Sequence, residues 1–279
     1  MRSCAVVLHL LVLWAAGAPA QFYLGADATV AWPYVWRGLT RANWLTAAPE
    51  VFATVEHKRA FFSVGGWWIF ERGATARRLS DRSSATGGFA ERDWWVQGAR
   101  WFGLVDASLG FIHYHYADSV APAGRPTRVA TSEMYATVRA SGKYLAPGIS
   151  VYWDRERVQG WYVEAYVAVP AFASPWVGPP SFWIFVTALV GYSLGQGVNS
   201  ADITQAANFA ENGVTHVDLS LAFGAPRFLR RPNTSWQVDA HLQINIDPFT
   251  QRTSAVPADR GARLFVRTSV RWTKRFLRW

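Results

Sequence analysis

Apolar and polar residues alternate along most of this 279-residue chain, the two-residue period of a strand whose faces meet different surroundings. The clearest run spans Ser235 to Asp247. There Trp236, Val238, Ala240, Leu242, Ile244 and Ile246 alternate with Gln237, Asp239, His241, Gln243 and Asn245. A helix of this sequence would have no apolar stripe; a strand has one apolar and one polar face. The template recurs. Val217, Leu219, Leu221 and Phe223 oppose His216, Asp218 and Ser220, and Val163, Ala165, Val167 and Val169 oppose Glu164 and Tyr166. Met134, Ala136 and Val138 oppose Glu133, Tyr135, Thr137 and Arg139. Leu264, Val266, Thr268, Val270 and Trp272 oppose Arg263, Arg267, Ser269 and Arg271, while Val51, Ala53 and Val55 oppose Glu50 and Glu56.

The pattern predicts about twelve strands, with ten to fourteen compatible: 22–31, 48–57, 60–71, 91–102, 104–117, 130–141, 144–154, 159–169, 181–192, 214–224, 234–246 and 262–273. Most have the nine to eleven residues or more that a tilted membrane-crossing strand needs, whereas soluble strands are commonly about five or six. Long connections at 72–90, 118–129, 193–213 and 247–261 alternate with tight turns at His57-Lys58-Arg59, around Gly103 and at Gly142-Lys143. The gaps at 170–180 and 225–233 are longer than that rhythm wants. Short turns at one end, long loops at the other and an even strand number describe an all-β, antiparallel, up-and-down transmembrane barrel.

The N-terminus changes the picture by adding export. Met1-Arg2-Ser3-Cys4 precedes an apolar run from Ala5 to Trp14, and Ala18-Pro19-Ala20 offers a small-residue cleavage pattern. The run is too short to span a bilayer as a helix and reads as a secretory signal over 1–20, leaving 21–279 as the barrel. Cleavage would remove Cys4, the chain's one cysteine, so an exported fold would rest on sheet closure rather than disulfides. Sixteen Trp and ten Tyr suit the interfacial girdles of a barrel. The formal charge of +9 comes with no nucleic-acid-binding motif. For an exported chain it points to anionic solutes or lipopolysaccharide. Trp279 supplies the terminal aromatic that barrel assembly machinery reads, although the basic stretch Thr273 to Arg278 before it is unusual.

Three segments resemble a known family. Pro33-Tyr34-Val35-Trp36-Arg37-Gly38-Leu39-Thr40 is similar to the "D-Y-V-x-R-G-x-S/T" signature of the TorF-type (Gcw_chp) outer-membrane porin family, with Pro33 in place of the Asp. Val105 to Tyr116 is similar to that family's "G-x-x-Y-x-Y" strand, and Ser132-Glu133-Met134-Tyr135 to its "x-E-x-Y" strand start. The resemblance implies a barrel and a pore, and no particular substrate.

Alternation assigns Glu50, Glu56, Glu133, Arg139, Glu164, His216, Asp218, Asp239, His241, Arg263, Arg267 and Arg271 to the lumen. Arginines on the last strand facing acids elsewhere would set a transverse field, as charge rings do in selective pores. The same charges could instead form a salt-bridged plug. Arg72, Arg77, Arg78 and Arg82 lie in one long loop and could take lipopolysaccharide phosphates, or simply be solvated. His113 and His115 are spaced for one strand face, as a metal pair would be. If Val105, Ala107, Leu109 and Phe111 face lipid, both histidines sit on that outer face near the rim, and no metal is assigned. His216 shares a face with Asp218 and Ser220, so a cross-strand hydrolytic site is conceivable. The histidines read more simply as lumen polar groups.

The expectation is a single bacterial outer-membrane barrel, made by a Gram-negative organism. It would be a porin-like channel passing small hydrophilic solutes, charged ones included, without cofactor or catalysis. Its partners would be outer-membrane lipid, lipopolysaccharide, small solutes and the assembly machinery, with oligomeric state open. The alternatives are a barrel enzyme acting on lipid or lipopolysaccharide, and a structural or adhesive barrel.

Overall fold

The computed structural model describes residues 20–37, 39–42, 45–71, 88–120, 126–142, 144–156, 159–173, 182–195, 212–226, 231, 233–248, 251 and 260–278. Residues 1–19 of the expected secretory signal, the arginines Arg72, Arg77, Arg78 and Arg82, and Trp279 lie outside them, while Ala20, the last residue of that expected segment, is the first of the opening strand.

Strands β1(Ala20–Trp32), β4(Thr46–His57), β5(Ala60–Glu71), β6(Gly88–Trp101), β7(Val105–Val120), β8(Pro126–Ala140), β9(Ala146–Asp154), β10(Gly160–Ala173), β11(Trp183–Leu194), β12(Gly213–Pro226), β13(Thr234–Asn245) and β14(Ala262–Arg278) form one closed barrel. Each pairs antiparallel with its sequence neighbours, and β1 closes on β14 from Gln21↔Arg278 to Trp32↔Val266. The strand number is therefore twelve. Closure leaves no unpaired edge, the condition for carrying strands through hydrocarbon. No helix among the described residues is long and apolar enough to cross a membrane.

The alternation is realised inside out. On β13, Asp239, Gln243 and Asn245 are buried inward while Ala240, Leu242 and Ile244 are exposed outward. Leu264 is 76% exposed, Leu109 69% and Met134 55%. Such a continuous apolar outer surface is untenable in water and is what lipid requires. Trp101, Phe102 and Tyr144 are exposed beside the short turns, and Trp32, Phe70 and Trp161 near the long loops. The aromatic girdles thus bracket the belt.

Three expected boundaries move. The connection expected at 118–129 is mostly strand, because β7 and β8 extend to pair Ser119 with Thr127 and Val120 with Pro126. The basic stretch Thr273 to Arg278 carries the last strand beyond its expected end at 273: it is the end of β14, paired with β1. Between β1 and β4 the chain leaves the wall altogether and forms a hairpin, β2(Tyr34–Trp36) and β3(Leu39–Ala42), which is a sheet of its own.

Candidate functional site

The β2–β3 hairpin turns at Arg37, whose φ of 47° is left-handed. A side chain there costs about 1–2 kcal/mol, so neighbours must hold it. They do. Two Arg37 nitrogens donate to the two Glu133 oxygens at 2.6 Å each, in the forked geometry that binds carboxylate most tightly. Both side chains are nearly dry, 8% and 6% exposed. The guanidinium lies 4.2 Å from the Trp36 ring centre, 4.1 Å from Tyr152 and 4.7 Å from Tyr162. Burial alone would lower the Arg37 pKa, but the Glu133 carboxylate and the facing tyrosines outweigh it and hold it well above its ordinary value. A second tie lies on the other side, where Arg263 of β14 donates to Thr40 and also to Gln243 Oε1, at 3.0 and 2.8 Å. The hairpin therefore crosses the barrel between β14 and the β8–β10 wall. Leu39, buried against Tyr162 and backed by Tyr152, makes the small apolar core of the molecule.

Below the hairpin, toward the short turns, charges pair along the wall. Arg267 donates to Asp239 at 3.0 Å, Arg271 to Asp27 at 3.1 Å and Arg139 to Asp106 at 2.8 Å. The β14 arginines here are 48% and 56% exposed, whereas their acids are buried. Trp95 donates to Glu50 at 2.9 Å, and Glu56 stands opposite Gln21 on β1. His241 meets Asp218 at 3.0 Å and stacks on Phe265 at 4.2 Å between ring centres. His216 contacts Thr215 at 3.0 Å and lies parallel to Tyr162. A cavity of about 480 Å³ lies along β10–β14. It runs from Val35 and Arg37 of the hairpin past Glu164, His216, Asp218, His241 and Asp239 to Trp183, the first residue of β11.

The structure thus gathers Glu164, His216, Asp218, Asp239, His241 and Arg267 at one cavity. Glu133 and Arg263 are built into the hairpin's anchorage, and Glu50, Glu56, Arg139 and Arg271 lie elsewhere on the lumen wall. Three participants escaped the sequence reading. Asp27 and Asp106 sit at inward positions of alternating strands, and period two could have placed them. Arg37 sits in a connection, where alternation has no meaning. His113 and His115 point outward: His113 is against Trp94 and shares a hydrogen bond with Ser132, and His115 contacts Arg92.

A further regularity lies in the inward glycines. Gly25, Gly65, Gly110, Gly148, Gly191 and Gly224 stand in register opposite Phe52, Trp95, Tyr135, Tyr166, His216 and Trp183 respectively. A Cβ on any of the six would overlap the ring facing it. The missing Cβ lets each ring lie along the wall, where a side chain beneath would push it into the lumen. An interior strand glycine weakens the strand and so signals close approach; that signal was available in the sequence.

No family model matches the chain, and no curated protein matches it. Solved structures do match in fold. LpxR from Salmonella typhimurium aligns over 89% of this chain and 99% of its own at 8% identity, with a TM-score of 0.52. The KdgM porin aligns over 89% and 98% at 8% identity, TM-score 0.43. The outer membrane protein OprD from Pseudomonas aeruginosa aligns over 92% and 94% at 7% identity, TM-score 0.39. These identities speak to fold alone. With the closed antiparallel wall, the lipid-facing belt and the two girdles, the chain is a bacterial outer-membrane β-barrel.

Proposed function

We propose that this barrel is a narrow porin-like channel, passing small hydrophilic solutes by diffusion without catalysis, and that the β2–β3 hairpin is its constriction. Long loops of such barrels face outside and short turns face the periplasm, so the hairpin sits toward the outer mouth and the cavity toward the periplasm. The observation that carries the reading is the treatment of bulky residues below the hairpin. Six rings are laid on the wall over glycines, an arrangement that keeps their bulk against the wall and out of the lumen. The three motifs resembling TorF-type porins agree with it, and the first of them, Pro33 to Thr40, is the segment that becomes the hairpin.

A barrel enzyme has one observation in its favour, the His241–Asp218 pair with Ser220 opposite His241 in register. A nucleophile needs its hydroxyl on the base. His241 Nε2 is buried with no hydrogen-bond partner among the described residues, so that contact is not made. Planar-bilayer recording of the refolded protein under a salt gradient tests the channel. Discrete steps with a measurable reversal potential are expected, and silence from protein shown to be folded would overturn it. Binding of lipopolysaccharide phosphates by Arg72, Arg77, Arg78 and Arg82 remains a separate proposal; loss of lipopolysaccharide co-purification on replacing all four is its test.

A further inference from the structure

The cavity along β10–β14 has a composition that selects among solutes. Its two arginines are already used, Arg267 by Asp239 and Arg37 by Glu133. Two further carboxylates line it, Asp218 hydrogen-bonded to His241 and Glu164 near Arg37. An entering anion would have to shed water and then compete with a carboxylate already placed on each arginine. The cavity nevertheless presents many polar atoms, from Thr187, Ser220, Gln237 and Gln243 as well as the paired carboxylates. A purely apolar molecule would leave these without water or partner.

One wall is different. Trp183 lies over Gly224 and meets Phe185 edge-on, with ring centres 5.4 Å apart at 61°. Both rings line the cavity together with Leu189 and Ala222. A ring seated flat on a glycine turns a face, rather than an edge, toward the lumen. The cavity therefore joins an apolar platform to an array of hydrogen-bonding groups, carboxylate acceptors among them, whose arginines are already paired. Its volume of about 480 Å³ is in the range of small-molecule sites, where a few polar groups set orientation.

We infer that this cavity is a binding site for a neutral ring-bearing polyol, that is, a small uncharged saccharide. The C–H face of its ring rests on Trp183, and its hydroxyls reach Asp218, Asp239, Gln237 and Gln243. The inference rests on the channel reading for its biological sense, since the site would select the solute that diffuses.

The test uses the refolded full-length barrel in micelles of a detergent without a sugar headgroup, with maltose as the neutral probe and galacturonate as the charged one. Titration calorimetry should show maltose heat that saturates and galacturonate heat that does not. Trp183→Ala should weaken maltose binding by about tenfold or more, and Trp183→Phe should restore most of it. That rescue separates lost stacking from a damaged barrel. In the bilayer, maltose should reduce ion current through the wild type and not through Trp183→Ala. A channel that conducts but neither binds nor is blocked by maltose overturns the site and leaves the channel standing. Saturable maltose binding by a silent barrel upholds the site and overturns the channel. Tighter binding of galacturonate than of maltose overturns the assignment to a neutral ligand.

Discussion

The two halves of the lumen use the same residue types for opposite ends. Toward the long loops, Arg37 and Glu133 are both dry and bonded two-to-two, and they fasten a hairpin across the opening. Toward the short turns, Arg271 pairs with Asp27 and Arg139 with Asp106, but both arginines are 56% exposed. A buried pair is costly to break, because the remaining charge is stranded. A wet pair contributes little to stability, yet on the channel reading proposed above its charge would still be felt by passing solute. On that reading an ion pair in this barrel is structural or functional according to how much water reaches it.

The largest effect should come from breaking the dry pair. Arg37→Ala leaves Glu133 buried without its cation, bonded by the Tyr114 hydroxyl at 3.0 Å. It should cost about 3–5 kcal/mol in a urea titration of the folded barrel, while Arg37→Lys, which keeps the charge but loses the fork, should cost less. Next, a charge on the opposite side of the wall: Leu219→Arg, near the middle of β12 and facing lipid, should cost about 2–4 kcal/mol in the same titration. A polar replacement of the neighbouring inward Ser220 should be nearly silent. The glycine seats come third. Gly148→Val sets a side chain where Tyr166 now lies, and should cost about 1–3 kcal/mol as overpacking does. It should also lower conductance, because the ring is driven inward; unchanged conductance would mean the seats do not keep the path clear. Smallest is the wet pair. Arg139→Ala should alter stability by no more than about 1 kcal/mol and move the reversal potential slightly toward cation preference.

The wall was legible from the chain alone because lipid and lumen impose one rule on every other residue. The inward row of β13, Asp239, His241, Gln243 and Asn245, follows from alternation and from nothing else. Beyond the wall the rule stops. Tyr34 to Ala42 was visible as a motif but not as a hairpin, since its two short runs are stabilised by tertiary contacts with Glu133, Tyr152, Tyr162 and Arg263, far away in sequence. Strand ends such as Ser119–Thr127 escaped for a related reason. There the apolar alternation of the sequence fades while the backbone ladder continues. The pairing of particular charges, Arg271 with Asp27 for instance, depends on closure of β1 against β14, a register that no local pattern contains.

The central claim is that the hairpin, held by Arg37, limits an otherwise passable lumen. It is tested most directly by comparing single-channel conductance of the wild type and Arg37→Ala, both first shown to be folded by heat-modifiable migration. The account predicts small, uniform steps for the wild type and clearly larger, noisier ones for the variant, as the hairpin swings free. Equal conductance in the two proteins, or a variant that is folded and silent, would contradict it.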